Sequence, residues 1–137
     1  MNFELTDVRS MKIAIATWNE RVSPVMDSAR NLMVVTYDEG AEVSREKLVL
    51  PQVEICSRAG FIADLGVQVL ICGAISRQYE MLLERSGIQV AAWFRGDVDA
   101  LIAAIPRGEL KQARFILPGC GQQRIRRRNR FGQNRRA

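Results

Sequence analysis

The run Val69-Leu70-Ile71-Cys72-Gly73-Ala74-Ile75-Ser76 constrains the fold more than any other stretch of this 137-residue chain. Val69 to Cys72 are all apolar, a glycine follows, and an amphipathic stretch starts at once. A strand this apolar is buried on both faces, as strands are in parallel sheets covered by helices. The tight turn after it sets a helix N-terminus at the strand's carboxyl end. Open α/β sheets bind ligands at that position.

The rest of the chain can be read outward from this unit. Lys12 to Thr17 alternates and is rich in β-formers, which predicts a first strand. Trp18 to Ala29 is a loop, because Pro24 forbids a simple helix through it. Leu32 to Tyr37 and Glu42 to Leu50 form a hairpin about Asp38-Glu39-Gly40. Pro51 suits a helix start. Val53, Cys56, Gly60 and Ala63, flanked by Ile55, Ala59 and Ile62, give an apolar helical face, which places Cys56 in the core. Gly66 ends that helix, and Val67 to Cys72 is the fourth strand. Ile75, Tyr79, Leu82 and Leu83 mark a second helix that closes at Gly87, and Ile88 to Ala92 is a fifth strand. Asp97 caps a third helix striped by Val98, Leu101, Ile102 and Ile105. The expected fold is α/β, with a mixed five-stranded sheet in the order β-β-β-α-β-α-β-α.

Composition narrows the chemistry. The chain has no histidine, which removes the usual general base, the commonest zinc ligand and the Ser-His-Asp triad together. Its three cysteines, Cys56, Cys72 and Cys120, are too few and oddly numbered for a disulfide framework. No apolar run approaches the ~18 residues of a membrane span. Met1 to Asp7 lacks the basic and apolar regions of a signal peptide, so a cytoplasmic location is expected. Seven arginines and no acid lie in residues 122–137. The other 13 basic residues and all 15 acids lie in residues 1–121, which are nearly neutral. The chain thus divides into a lead-in (1–10), one domain (11–121) and an arginine-rich tail (122–137). Met11 directly precedes the first strand and would serve as a start.

Two segments are candidate sites from their residues alone. In Cys72-Gly73-Ala74-Ile75-Ser76-Arg77, N–H groups at a helix start suit an anion, Gly73 permits close approach, and Ser76 and Arg77 add a hydroxyl and a charge. The same residues also make an ordinary βα turn capped by Ser76. Cys120, in Pro118-Gly119-Cys120-Gly121 before the arginines, sits in surroundings that lower a thiol pKa and favour metal binding, or it is an incidental surface thiol. Asp27 reads as the cap of a short helical turn.

Met11-Lys-Ile-Ala-Ile-Ala-Thr17, Arg21-Val-Ser-Pro-Val-Met-Asp27, Leu70-Ile-Cys-Gly-Ala-Ile-Ser76, Trp93-Phe-Arg-Gly-Asp97 and Leu117-Pro-Gly-Cys120, in this order and spacing, resemble the dinitrogenase iron–molybdenum cofactor biosynthesis family, of the NifX, NafY and NifB C-terminal domain type. The resemblance spans roughly residues 11–121. It implies a ribonuclease H-like sheet with the first and fourth strands adjacent, so that Arg21 and Ser23 lie beside the Cys72 turn. It also implies a non-catalytic carrier of an iron–sulfur or molybdenum-containing sulfide cluster, passed between cofactor-assembly and acceptor proteins. The orange protein, which holds a molybdenum–copper sulfide cluster, looks like a relative. Taken with the two segments above, the candidate cofactor-binding residues are Arg21, Ser23, Cys72, Gly73, Ala74, Ser76, Arg77 and Cys120, with Cys72 and Cys120 as metal ligands. One chain cannot supply the four thiolates of an ordinary cluster. Either two chains share one, as a homodimer, or the cluster brings its own sulfides and is held by charge and hydrogen bonds; the second is favoured.

Two other classes stand beside this one. The basic tail, Arg124 to Phe131, would bind RNA or another polyanion without specificity, or would serve as a disordered solubilising tail. A nuclease is disfavoured, since two-metal cleavage needs carboxylates at strand ends and Lys12 to Thr17 has none. A partner-binding regulatory domain without a ligand is the third.

Overall fold

The computed structural model describes residues 10–110 and Phe115. The strands are β1 (Ser10–Trp18), β2 (Arg21–Val22), β3 (Asn31–Asp38), β4 (Ala41–Val49), β5 (Val69–Ile71) and β6 (Gln89–Ala91). The helices are α1 (Ile55–Asp64), α2 (Arg77–Arg85) and α3 (Val98–Ala104). Short 3-10 turns occupy Met26–Ser28 and Ile105–Arg107. The mixed sheet has the order β4-β3-β1-β5-β6, with β2 paired to β1 beside that path. β3 runs antiparallel to β1 and β4 antiparallel to β3, while β5 and β6 continue parallel to β1.

Strand alternation divides the core. Ile13, Ile15, Val35, Tyr37, Val69 and Ile71 face α3, joined by Leu101, Ile102 and Phe115. Ala14, Ala16, Val34, Leu70 and Cys72 face α1 and α2, joined by Ala59, Ile62, Tyr79 and Leu83. β1 therefore gives its large residues to one face and alanines to the other, where two helices have to close on the sheet. The Tyr37 hydroxyl donates to the Ile102 carbonyl at 2.9 Å across the α3 face, and burial pushes its phenol well above the ordinary tyrosine range.

The sheet has six strands rather than the expected five. The sixth, β2, forms because Asn19 and Glu20 both take positive φ, 52° and 66°, closing a two-residue hairpin. Asn19 tolerates that region, but Glu20 carries no sequence signal for it. Glu39-Gly40 turns between β3 and β4 in the same way, at φ 55° and 80°, as its glycine predicts. α1 starts at Ile55 instead of Pro51, since the chain must first cross from the edge strand; Leu50 is fastened on the way by its N–H to the Arg30 carbonyl at 2.7 Å. The buried face of α1 is Arg58, Ala59 and Ile62, so Cys56 is exposed and not in the core. The helix has turned to bring Arg58 inward, for a reason found at the site below. β4 is exposed along nearly all its length, and the charges of Glu42, Arg45, Glu46 and Lys47 protect this open edge from pairing with other chains.

Candidate functional site

β1, β5 and β6 run parallel, so the loops that follow them meet at one edge. These are residues 18–29, 72–76 and 92–97, and backbone hydrogen bonds join them. Ala74 N–H donates to the Pro24 carbonyl at 2.8 Å, and Met26 N–H to the Ala74 carbonyl at 2.7 Å. Trp93 N–H donates to Gly73 at 2.9 Å, Phe94 N–H to Cys72 at 3.0 Å, and Val22 N–H to Gly96 at 2.9 Å. The Asn19-Glu20 tip reaches α3, where the Glu20 carbonyl accepts Val98 N–H at 3.0 Å. Trp93 holds φ at 71°, a left-handed conformation costly for an aromatic residue, in the middle of this network.

The adjacency of the Arg21 loop and the Cys72 turn follows from β1 pairing with β5. It changes what each residue does. Gly73 is a glycine because a Cβ there would lie 2.6 Å from the Ser23 carbonyl oxygen and closer still to that of Pro24. Its close neighbour is therefore the adjoining loop rather than a ligand. Ser23 is buried, with its hydroxyl on the Val25 carbonyl at 3.3 Å. Cys72 is fully buried, with no exposed surface. Ala74 has given its N–H to Pro24, and only Arg21, Ser76 and Arg77 of the set on this edge are exposed to solvent. Cys120 and the arginine tail lie outside the described residues.

Ser76 caps α2, its Oγ accepting Tyr79 N–H at 3.3 Å. Its own N–H donates to the Asp27 carboxylate at 2.8 Å. Asp27 thus caps the helix across the edge instead of its own short turn, for which it provides no side-chain bond. Arg58 comes up beneath from α1. It is 4% exposed and donates through Nη1 to the Asp27 carbonyl at 2.6 Å and through Nη2 to the Ala29 carbonyl. Its guanidinium lies 5.7 Å over the Tyr79 ring. Burial pushes the Tyr79 phenol up to about 12; Arg58 opposes the shift, while Asp27 and Cys72 add to it. Neither Arg58 Nε nor the Tyr79 hydroxyl has a hydrogen-bond partner among the described residues.

Four arginines, Arg21, Arg30, Arg77 and Arg95, stand exposed around this edge. Among the described residues none of them forms an ion pair, whereas Arg45 pairs with Glu42 and Asp99, and Arg107 with Glu109, elsewhere on the molecule. Two of the nearby acids are committed to capping, Asp27 on Ser76 and Asp97 on Ala100 N–H at 3.1 Å, while Glu20 stands exposed at the tip of the β1–β2 hairpin. A groove of about 290 Å³ opens beside the loop, lined by Thr17, Trp18, Ser23, Pro24, Val25 and Arg30 among others. No cluster of three His, Cys, Asp or Glu able to hold a metal ion exists among the described residues. The edge can hold an anion through charge and donor groups, and its described residues offer no thiolate cage. Arg30 and Arg58 carry no motif in the sequence, and Arg95, though inside Trp93-Phe-Arg-Gly-Asp97, is not read there as a site residue; only the folding of separate segments onto one edge brings them together.

A family model described as dinitrogenase iron-molybdenum cofactor matches residues 9–108. No curated protein matches the chain. Among solved structures, the protein PH0822 shares 22% identity, covering 72% of this chain and 91% of its own, with a TM-score of 0.68. A Methanocaldococcus jannaschii protein, MJ0327, shares 24% over 73% of this chain and 91% of its own, with a TM-score of 0.60. The apo orange protein of Desulfovibrio gigas shares 21% over 72% and 89%, with a TM-score of 0.59. At these identities the three establish likeness of fold.

Proposed function

The chain belongs to the dinitrogenase iron-molybdenum cofactor family, and from that premise we propose that it binds and carries an anionic metal–sulfur cluster or its precursor without catalysing a reaction. The observation that carries this reading is the set of four exposed arginines, without ion-pair partners among the described residues, around one helix-bearing edge. Metal–sulfide clusters are commonly anionic, and a cluster that brings its own sulfides needs charge and hydrogen-bond donors more than protein thiolates. Arg21, Arg77 and the hydroxyl of Ser76 would meet such a cargo directly, and Arg30 and Arg95 would widen the field. Ser23, Gly73 and Ala74 would hold the loops that present these groups. Cys72 would become a ligand only if the turn opened, and Cys120 would supply an additional thiolate from the C-terminal segment. The finer fold assignment, ribonuclease H-like, belongs to the same reading, as do cytoplasmic assembly and acceptor proteins as partners. These partners would dock where Trp18 and Val25 are exposed beside the groove.

The test is expression with iron, molybdate and copper available, anaerobic purification, elemental analysis and a visible spectrum. Stoichiometric metal with sulfide-to-metal absorption bands is the expected result. Colourless protein that also fails to bind added tetrathiomolybdate, iron sulfide or copper sulfide species overturns it. Deleting residues 122–137 separates the nucleic-acid alternative: RNA binding would vanish, while cargo binding at the edge would persist.

A further inference from the structure

We propose that Asp27 is a built-in competitor for the anion seat, a carboxylate that holds the Ser76 N–H when cargo is absent and so keeps binding reversible. The proposal rests on the anionic-cargo reading above and adds how that site is regulated. Four unpaired arginines would hold a multiply charged cluster tightly, yet a carrier has to release what it carries. Asp27 places a negative charge on the first turn of α2, a nine-residue helix, at 2.8 Å from the Ser76 nitrogen. An arriving anion takes up that N–H only by displacing the carboxylate. It therefore gains the difference between two charge-assisted bonds instead of a whole one.

The second observation is Arg58. Its buried guanidinium fixes the carbonyls of Asp27 and Ala29, so the backbone of the competitor is clamped while its side chain lies at the edge. Exchange then needs a rotamer change at Asp27 and no opening of the loop. The same guanidinium lies over Tyr79 in the first turn of α2 and keeps Nε without a partner. Among the described residues no carboxylate lies within ion-pair distance of it. A buried cation so placed raises the potential at the seat once the Asp27 carboxylate has swung away. Glu20 is the natural comparison. It is an exposed acid on the same edge whose side chain makes no described bond.

The experiment is anaerobic titration of the full chain with tetrathiomolybdate at fixed ionic strength, for the parent protein and for Asp27→Asn, Asp27→Ser and Glu20→Gln. Asp27→Asn keeps an oxygen for the Ser76 N–H and removes the charge. It is expected to bind at least about fivefold tighter, with slower release, while Glu20→Gln stays within about twofold. Asp27→Ser decides the matter in the same direction if Asp27→Asn does not fold. Parent binding with an unchanged or weakened Asp27→Asn removes the competitor and leaves the cargo reading standing. A gain in Glu20→Gln equal to that in Asp27→Asn also removes it, since the effect would then be general charge. No binding of tetrathiomolybdate by the parent or any variant at millimolar probe overturns the competitor, and the same failure with iron sulfide and copper sulfide species in colourless protein overturns the cargo reading as well.

Discussion

Gly73 shows how single residues at this edge are governed by neighbours distant in sequence. The carbonyls of Ser23 and Pro24 occupy the space a Cβ would need, and backbone has little room to give. Gly73→Ala should therefore cost about 1–3 kcal/mol, as overpacking does, read as a lower denaturation midpoint. Tyr79 makes the opposite case. Its hydroxyl is buried without a hydrogen-bond partner among the described residues, so Tyr79→Phe should be neutral or slightly stabilising at neutral pH. Its phenol, at about 12 in the fold, lies above the ordinary value of about 10 for an unfolded tyrosine. The stability this represents is fully present below pH ~10 and is lost as pH rises towards ~12, because only the unfolded chain then ionises readily. Denaturation between those pH values should be less steep for Tyr79→Phe than for the parent. A pH dependence unchanged by the substitution would show that Tyr79 is not the titrating group.

At the scale of elements, the caps of α2 and α3 are built differently. Asp97 accepts the Ala100 N–H at 3.1 Å, beside the Glu20 carbonyl that accepts Val98 N–H, so Asp97→Ala should lose about 1 kcal/mol. Ser76 accepts Tyr79 N–H at a long 3.3 Å, and Asp27 supports the same helix end from outside. Ser76→Ala should accordingly cost less than Asp97→Ala in paired urea titrations. An equal or larger loss would mean that Asp27 contributes little. α3 was legible in the chain because its cap and its stripe of Val98, Leu101 and Ile102 agree in phase. α1 was not, because its charged residue, Arg58, is the one that turns inward to reach the carbonyls of Asp27 and Ala29. Periodicity assigns apolar residues to the core and has no means of anticipating a buried guanidinium satisfied by a remote loop.

For the whole molecule, the arginine-bearing edge sets the expected behaviour. Arg21, Arg30, Arg77 and Arg95 come from four separate segments at the same end of the sheet and are all exposed. Replacing each by Gln should weaken tetrathiomolybdate binding and flatten its salt dependence between about 0.05 and 0.5 M. Arg85→Gln, in the last turn of α2 at the other end of the helix, should do neither. Equal effects at Arg85 would reduce the edge to overall charge. By itself, the sequence determined the hairpin, the two parallel βα units and the turn at Ser76, because these depend on local periodicity, turn chemistry and the burial of short apolar runs. It also determined that histidine chemistry is absent. Tertiary structure alone decided that Gly73 packs against a neighbouring loop, that Cys72 is sealed from solvent, that Asp27 caps a helix 49 residues away, and that four arginines share an edge. Each of these depends on β1 lying beside β5. That pairing brings together segments some fifty residues apart, a contact that no local pattern encodes.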